Sequence, residues 1–157
     1  DNKEEQKVLF EKQLILANKL NLPVIVHDRE AHADTLELLK KHRPKGVVHS
    51  FSGSQEMARE ILNIGMYIGI GGVITFKNAR KLPEVVEMLP EDRLLLETDA
   101  PYLTPVLEKE AALGGGGNFP EGSLGVGTRY QKEHGINTTV EQVLTSAREN
   151  AENLFNI

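Results

Sequence analysis

Two periods govern the apolar positions along this chain. Over residues 3–20, Leu9, Leu16 and Leu20 fall near one side with Phe10, Leu14 and Ala17 beside them, a spacing close to that of an α-helix. Leu22-Pro23-Val24-Ile25-Val26-His27 follows, short, apolar and β-branched, and reads as a buried strand. Residues 30–42 return to helical spacing with Ala33, Leu36 and Leu39 inward, and Pro44-Lys45-Gly46 turns the chain into a second strand, Val47-Val48-His49. Ser54 is suited to cap a helix carrying Met57, Ala58, Ile61 and Leu62, which Gly65 closes. Met66 to Ile70 is a third strand ending at Gly71-Gly72. Leu82, Val85, Val86 and Leu89 mark a helix begun either by Asn78 or by Pro83 in its first turn, and residues 93–98 form a fourth strand. Val140, Val143, Leu144, Ala147, Ala151 and Leu154 stripe a last helix over 138–155, with Thr138 and Glu141 spaced as a capping box.

Helix and strand alternate with short connections, the pattern of parallel strands joined by right-handed helical crossovers. The strands are apolar almost throughout, so both faces of the sheet are expected to be covered. Length changes the picture only modestly: 157 residues suit one domain, 1–157.

Composition excludes several classes. Hydrophobic residues make up 39% and charged residues 26%, a globular balance incompatible with disorder or a collagen-like chain. No apolar run approaches the roughly 18 residues of a membrane span, so no membrane partner is expected. The opening Asp1-Asn2-Lys3-Glu4-Glu5 is not the basic-then-apolar start of a signal peptide. With no cysteine, disulfides and thiolate metal sites drop out, and a cytoplasmic protein is expected. The net charge of −5 argues against coating nucleic acid by bulk charge. It leaves open action on nucleic acid through metal ions and a few local cations.

The polar residues sit where the strands end. His27 closes the first strand, His49 the second, Gly71 the third and Asp99 the fourth, at intervals of 22, 22 and 28 residues. In α/β architectures the carboxyl ends of the strands share one rim, where ligands bind. One strand-end histidine is commonly a hydrogen-bonded core residue, but two with an aspartate in register point to a functional site. Imidazole and carboxylate together suit zinc, manganese or a similar divalent ion, and so hydrolytic rather than redox chemistry.

Three motifs carry a resemblance. Leu22-Pro23-Val24-Ile25-Val26-His27-Asp28-Arg29-Glu30, Val48-His49-Ser50-Phe51-Ser52-Gly53 and Glu97-Thr98-Asp99-Ala100-Pro101-Tyr102-Leu103 are similar to the signatures of the TatD-type metal-dependent deoxyribonucleases. Ile68-Gly69-Ile70-Gly71-Gly72, Thr75-Phe76-Lys77-Asn78 and the tail Asn150-Ala151-Glu152-Asn153-Leu154-Phe155 resemble that family too. The likeness runs from about residue 3 to 105 and returns over 138–155.

The resemblance implies parallel β/α units of a TIM-type (β/α)8 barrel of the metal-dependent hydrolase superfamily, cleaving phosphodiester bonds of DNA with one or two divalent ions (Zn, Mn or Mg). By position it implies His27 and His49 as metal ligands, and Asp99 as a further ligand or as the base that takes a proton from the attacking water. Arg29, Ser50 and Glu97, adjacent to those positions, are the expected substrate-binding residues. Arg29 has the planar fork that meets a phosphate oxygen pair, although an exposed charge at a helix start fits it equally. Lys77, Arg80 and Lys81 follow the third strand and either line the same rim or form a solvated surface.

The departures are specific. A whole barrel takes about 250 residues, and this chain opens on what reads as the helix before the family's fourth strand, so the barrel is expected to be incomplete here. The family's amino-terminal third carries a His-x-His and a bridging Glu; the five histidines here, at 27, 32, 42, 49 and 134, contain no such pair. His32, His42 and His134 read as surface residues. Residues 106–135 hold Gly114-Gly115-Gly116-Gly117 and read as an atypical glycine-rich loop, where the family has a basic one. Two alternatives therefore stand beside the nuclease: an amide or ester hydrolase of the same superfamily, and a non-catalytic partial barrel serving assembly. Four parallel strands with open edges predict a homodimer or a complex with a complementing amino-terminal barrel segment.

Overall fold

The computed structural model describes residues 2–76, 79–97 and 139–157 of the chain. Within them run helix α1 (Lys3–Leu20), strand β1 (Val24–His27), α2 (His32–His42), β2 (Gly46–His49), α3 (Gln55–Asn63), β3 (Tyr67–Ile70), α4 (Leu82–Met88), β4 (Leu94–Leu96) and α5 (Val140–Phe155). Short 3-10 turns occupy Gly72–Thr75 and Glu91–Arg93. The four strands pair in parallel in the order β1-β2-β3-β4. An order that follows the chain without reversal is the winding of a TIM-type barrel rather than of a doubly wound open sheet. The expected fold class, parallel β/α units of such a barrel, is what the described residues form.

Register separates the two faces of the sheet. Val26 pairs with Val48, Val48 with Ile68 and Ile68 with Leu94, and neighbours in register share a face. These side chains form one buried cluster with Leu14 of α1, Leu38 and Leu39 of α2, Met57, Ala58 and Ile61 of α3, Val85 and Val86 of α4, and Val143 of α5. The opposite face carries Ile25, Val47, Tyr67, Gly69 and Leu95, at positions offset by one. The expectation that both faces are covered is only half met: Val47 and Leu95 are buried, but Ile25 on edge strand β1 is 64% exposed.

Three details of the helices differ from the sequence expectation. On α1 the inward side chain is Leu14, whereas Leu9, Leu16 and Leu20 are exposed. The helix has two apolar stripes, and ion pairs choose between them: Lys3 and Lys7 meet Asp34, and Lys41 and His42 meet Glu11, docking the Leu14 side against α2. Hydrogen bonding from Lys3 holds the Asp34 carboxyl below the usual carboxylate range, and hydrogen bonding from Lys41 does the same for Glu11. His42, expected at the surface, is thereby half-buried against Glu11. On α2, Thr35 and Leu38 take inner positions and Ala33 is exposed. At α5 the capping box uses Thr139 and Gln142, one residue on from the expected pair, each side chain bonding the other's backbone N–H.

Other local signals act as their chemistry requires. Ser54 Oγ accepts the Met57 N–H at 3.3 Å and starts α3. Gly65, with φ +89, closes that helix in the left-handed conformation glycine adopts freely. Pro83 sits in the first turn of α4, which begins at Leu82 rather than at Asn78. A buried polar residue, Asn150, ties α5 to the sheet by donating to the carbonyls of Glu91 and Leu94 at 2.7 and 2.8 Å. The atypical loop 106–135 lies outside the described residues.

Candidate functional site

Strand register brings the two expected histidines together. His27 and His49 are direct partners at the carboxyl ends of β1 and β2. Their ring centroids lie 5.8 Å apart with the rings tilted by 39°. Both belong to the face opposite the helix-covered core, so neither ring competes with apolar packing. Glu97 follows β4 two residues after Leu95, on that same face, its N–H bonded to the Ile70 carbonyl at 3.2 Å. The Glu97 carboxylate crosses to β2. Its Oε2 lies 2.6 Å from His49 Nδ1, and its Oε1 accepts the Ser50 backbone N–H.

This crossing requires room on β3, which lies between the two. Gly69 supplies it, because a Cβ there would stand 2.6 Å from Glu97 Oε2. The turn after β2 is tight: Ser50 has φ 47, and the following Phe51 N–H bonds the Gly69 carbonyl at 3.1 Å. A glycine-containing strand and a left-handed non-glycine residue at one rim are features that concentrate at functional sites.

A second carboxylate serves the backbone after β1. The Asp28 side chain is 3% exposed; Oδ1 accepts the Ala31 N–H at 3.1 Å and Oδ2 lies 2.8 Å from His32 Nδ1. It therefore anchors the turn that leads into α2. His32, expected as a plain surface residue, is its partner. Arg29, next in sequence, is exposed on the same turn. Arg80 and Lys81 are both exposed, while Lys77 and His134 lie outside the described residues.

The donor chemistry fits a divalent ion in kind. Two imidazoles face each other across neighbouring strand ends, and one of them is oriented through its Nδ1 by a carboxylate, the arrangement that steadies a coordinating histidine. Among the described residues no group of three or more His, Asp or Glu gathers around a common point. The third expected donor, Asp99, lies outside them. Glu97 is expected beside the substrate from its place in the sequence; its contacts with His49 and Ser50 have no local signal, since they join residues 48 and 47 positions apart.

Comparison with known proteins gives the family and the fold. A family model described as TatD related DNase matches residues 1–156. The chain is 47% identical over 106 residues to an uncharacterized metal-dependent hydrolase of Bacillus subtilis, YabD, covering 66% of this chain and 42% of that protein. It is 42% identical over 109 residues to an uncharacterized metal-dependent hydrolase of Escherichia coli, YcfH, covering 68% of this chain and 41% of that protein. Among solved structures, the TatD homolog YjjV of Escherichia coli superposes with a TM-score of 0.80 at 34% identity, covering 98% of this chain and 57% of that one. The chain thus spans about two-fifths of the length of the curated relatives it matches.

Proposed function

The chain belongs to the TatD-related DNase family, and from that premise we propose that it contributes part of a divalent-metal centre for hydrolysis of phosphodiester bonds in DNA. The observation that supports this most directly is the pairing of His27 with His49, rings 5.8 Å apart, at adjoining strand ends. His27, His49 and Asp99 are the residues proposed to hold the ion, with zinc, manganese or magnesium as candidates. When bound, the ion supplies the Lewis acidity that polarises a phosphoryl oxygen and acidifies water. Asp99 is the proposed acceptor of the water proton. Arg29, exposed on the turn after β1, is proposed to meet a non-bridging phosphate oxygen pair through its guanidinium, with Ser50 beside it. A cytoplasmic location is part of the proposal, and a chain without cysteine, needing no oxidising compartment for disulfides, is compatible with it.

Calorimetric titration with zinc or manganese tests the centre. Three ligands predict weak binding, and His49→Ala should weaken it at least about tenfold, or ~1.4 kcal/mol. Unchanged affinity would remove His49 from the centre. A panel of DNA, ester and amide substrates with the same ions then separates the nuclease from the amide or ester hydrolase, the nuclease predicting turnover of DNA alone.

The same proposal extends to assembly. In the described residues β1 is an edge strand, and Ile25 on it and Leu22 before it are more than half exposed, at 64% and 54%. Unpaired edges with apolar flanks invite further strands. We propose that additional β/α units complete the barrel, from a second copy of this chain or from an amino-terminal barrel segment. Light scattering coupled to size exclusion at micromolar concentration should report a dimer for the chain alone. A stable monomer with a cooperative melt would rule out self-completion.

A further inference from the structure

The Glu97 carboxylate spends both oxygens on protein donors at the rim. One lies 2.6 Å from His49 Nδ1, and the other accepts the Ser50 N–H. The side chain is only 18% exposed, and the His49 side chain 23%. Its place is built into the neighbouring strand: a Cβ at Gly69 would lie 2.6 Å from Oε2 and 2.9 Å from Cδ, so any other residue at 69 displaces the carboxylate. Ser50 is held at φ 47, a conformation that costs a non-glycine residue about 1 kcal/mol or more. The Ser50 N–H in that conformation is what Glu97 receives. A substrate-binding carboxylate needs neither this glycine nor this strained turn, and beside a phosphodiester its charge would repel.

We infer that Glu97 is a positioning residue: it fixes the tautomer of His49, with Gly69 as the space that lets it do so. The inference rests on the metal-centre reading of His49. A carboxylate only accepts hydrogen bonds, so an imidazole nitrogen at 2.6 Å from it carries the proton. In neutral His49 the proton is then on Nδ1 and the lone pair on Nε2, the nitrogen directed away from Glu97. Coordination uses the nitrogen that holds the lone pair. Replacing Glu97 by glutamine inverts this without changing shape. The amide oxygen keeps the Ser50 N–H, and the amide NH2 must then donate to His49 Nδ1, which moves the ring proton to Nε2.

The test reads the tautomer directly. Long-range proton–nitrogen correlation spectra are recorded on the metal-free protein labelled with nitrogen-15 histidine, at about pH 8, above the usual imidazole range. The His49 signals are assigned by their loss in His49→Ala. The wild-type protein should show the Nδ1–H form, Glu97→Gln the Nε2–H form, and Gly69→Ala a loss of the Nδ1–H form although it touches neither hydrogen-bonding atom. Zinc affinity should fall about 10- to 100-fold in Glu97→Gln. A wild-type Nε2–H signal overturns the inference, even if the variants do not fold; so does an Nδ1–H signal that persists in folded Glu97→Gln. A tautomer switch with unchanged zinc affinity would count against the metal centre while upholding Glu97 as the group that orients His49.

Discussion

Gly46→Ala should destabilise the fold by about 2–6 kcal/mol, overpacking and backbone strain each contributing roughly 1–3. Gly46 opens β2 directly beside Val24 of β1, its register partner. A Cβ there would stand 2.2 Å from the Val24 carbonyl oxygen and 2.7 Å from Val24 Cγ2, and the residue also has φ +157. The neighbouring contact is backbone, which cannot swing aside as a long side chain does. The substitution would prise β1 from β2 at the start of their pairing and, three residues on, misalign His27 with His49. Urea denaturation of the two proteins measures the difference. A loss under about 1 kcal/mol would mean that the strands do not approach as closely as this.

Ile68→Ala is the second large effect, about 2–5 kcal/mol. Ile68 is fully buried at the centre of the sheet, flanked in register by Val48 and Leu94. Removing its side chain leaves a cavity on β3, an inner strand held by hydrogen bonds to β2 and β4, and the sheet cannot readily collapse into it. Against a typical total stability of about 5–15 kcal/mol, the denaturation midpoint should fall sharply with an unchanged slope. Ile25→Ala, at an exposed position on β1, should cost no more than about 0.5 kcal/mol at dilutions where the chain is monomeric. A large loss at concentrations where the chain associates would reveal that a partner covers it.

The β/α alternation was legible because each strand is a short β-branched or aliphatic run between amphipathic stretches, and each forms where that run lies. The histidine pair was legible because strand ends in parallel architectures converge on one rim. The rest depended on contacts that no local pattern encodes. Leu9, Leu16 and Leu20 have helical spacing as good as that of Leu14, and only the docking of Lys3, Lys7 and Glu11 onto α2 decides which side turns inward. Thr138 and Thr139 are equally able caps, and the partner three residues on, Gln142 rather than Glu141, selects the second. Glu97 reaches a histidine two strands away through a gap that exists because residue 69 lacks a side chain. Asp99, the remaining member of the expected centre, lies outside the described residues.

Parity along the strands divides labour in this molecule. Even-numbered strand residues, among them Val24, Val26, Val48, Ile68, Ile70 and Leu94, pack against the helices. Odd-numbered ones take the opposite face, which holds Val47 and Leu95 and, towards the carboxyl ends, His27, His49, Gly69 and, just past β4, Glu97. Durability and reactivity are thus written on interleaved positions of the same four segments. An engineer can retune one alphabet while leaving the other intact, swapping aliphatic residues at even sites for robustness and polar ones at odd sites for new reactivity. The corollary concerns length rather than identity. Loops between the segments tolerate added residues, but one residue inserted within a strand exchanges the two alphabets beyond that point. Point substitution, not insertion, is therefore the open route by which these strands diversify.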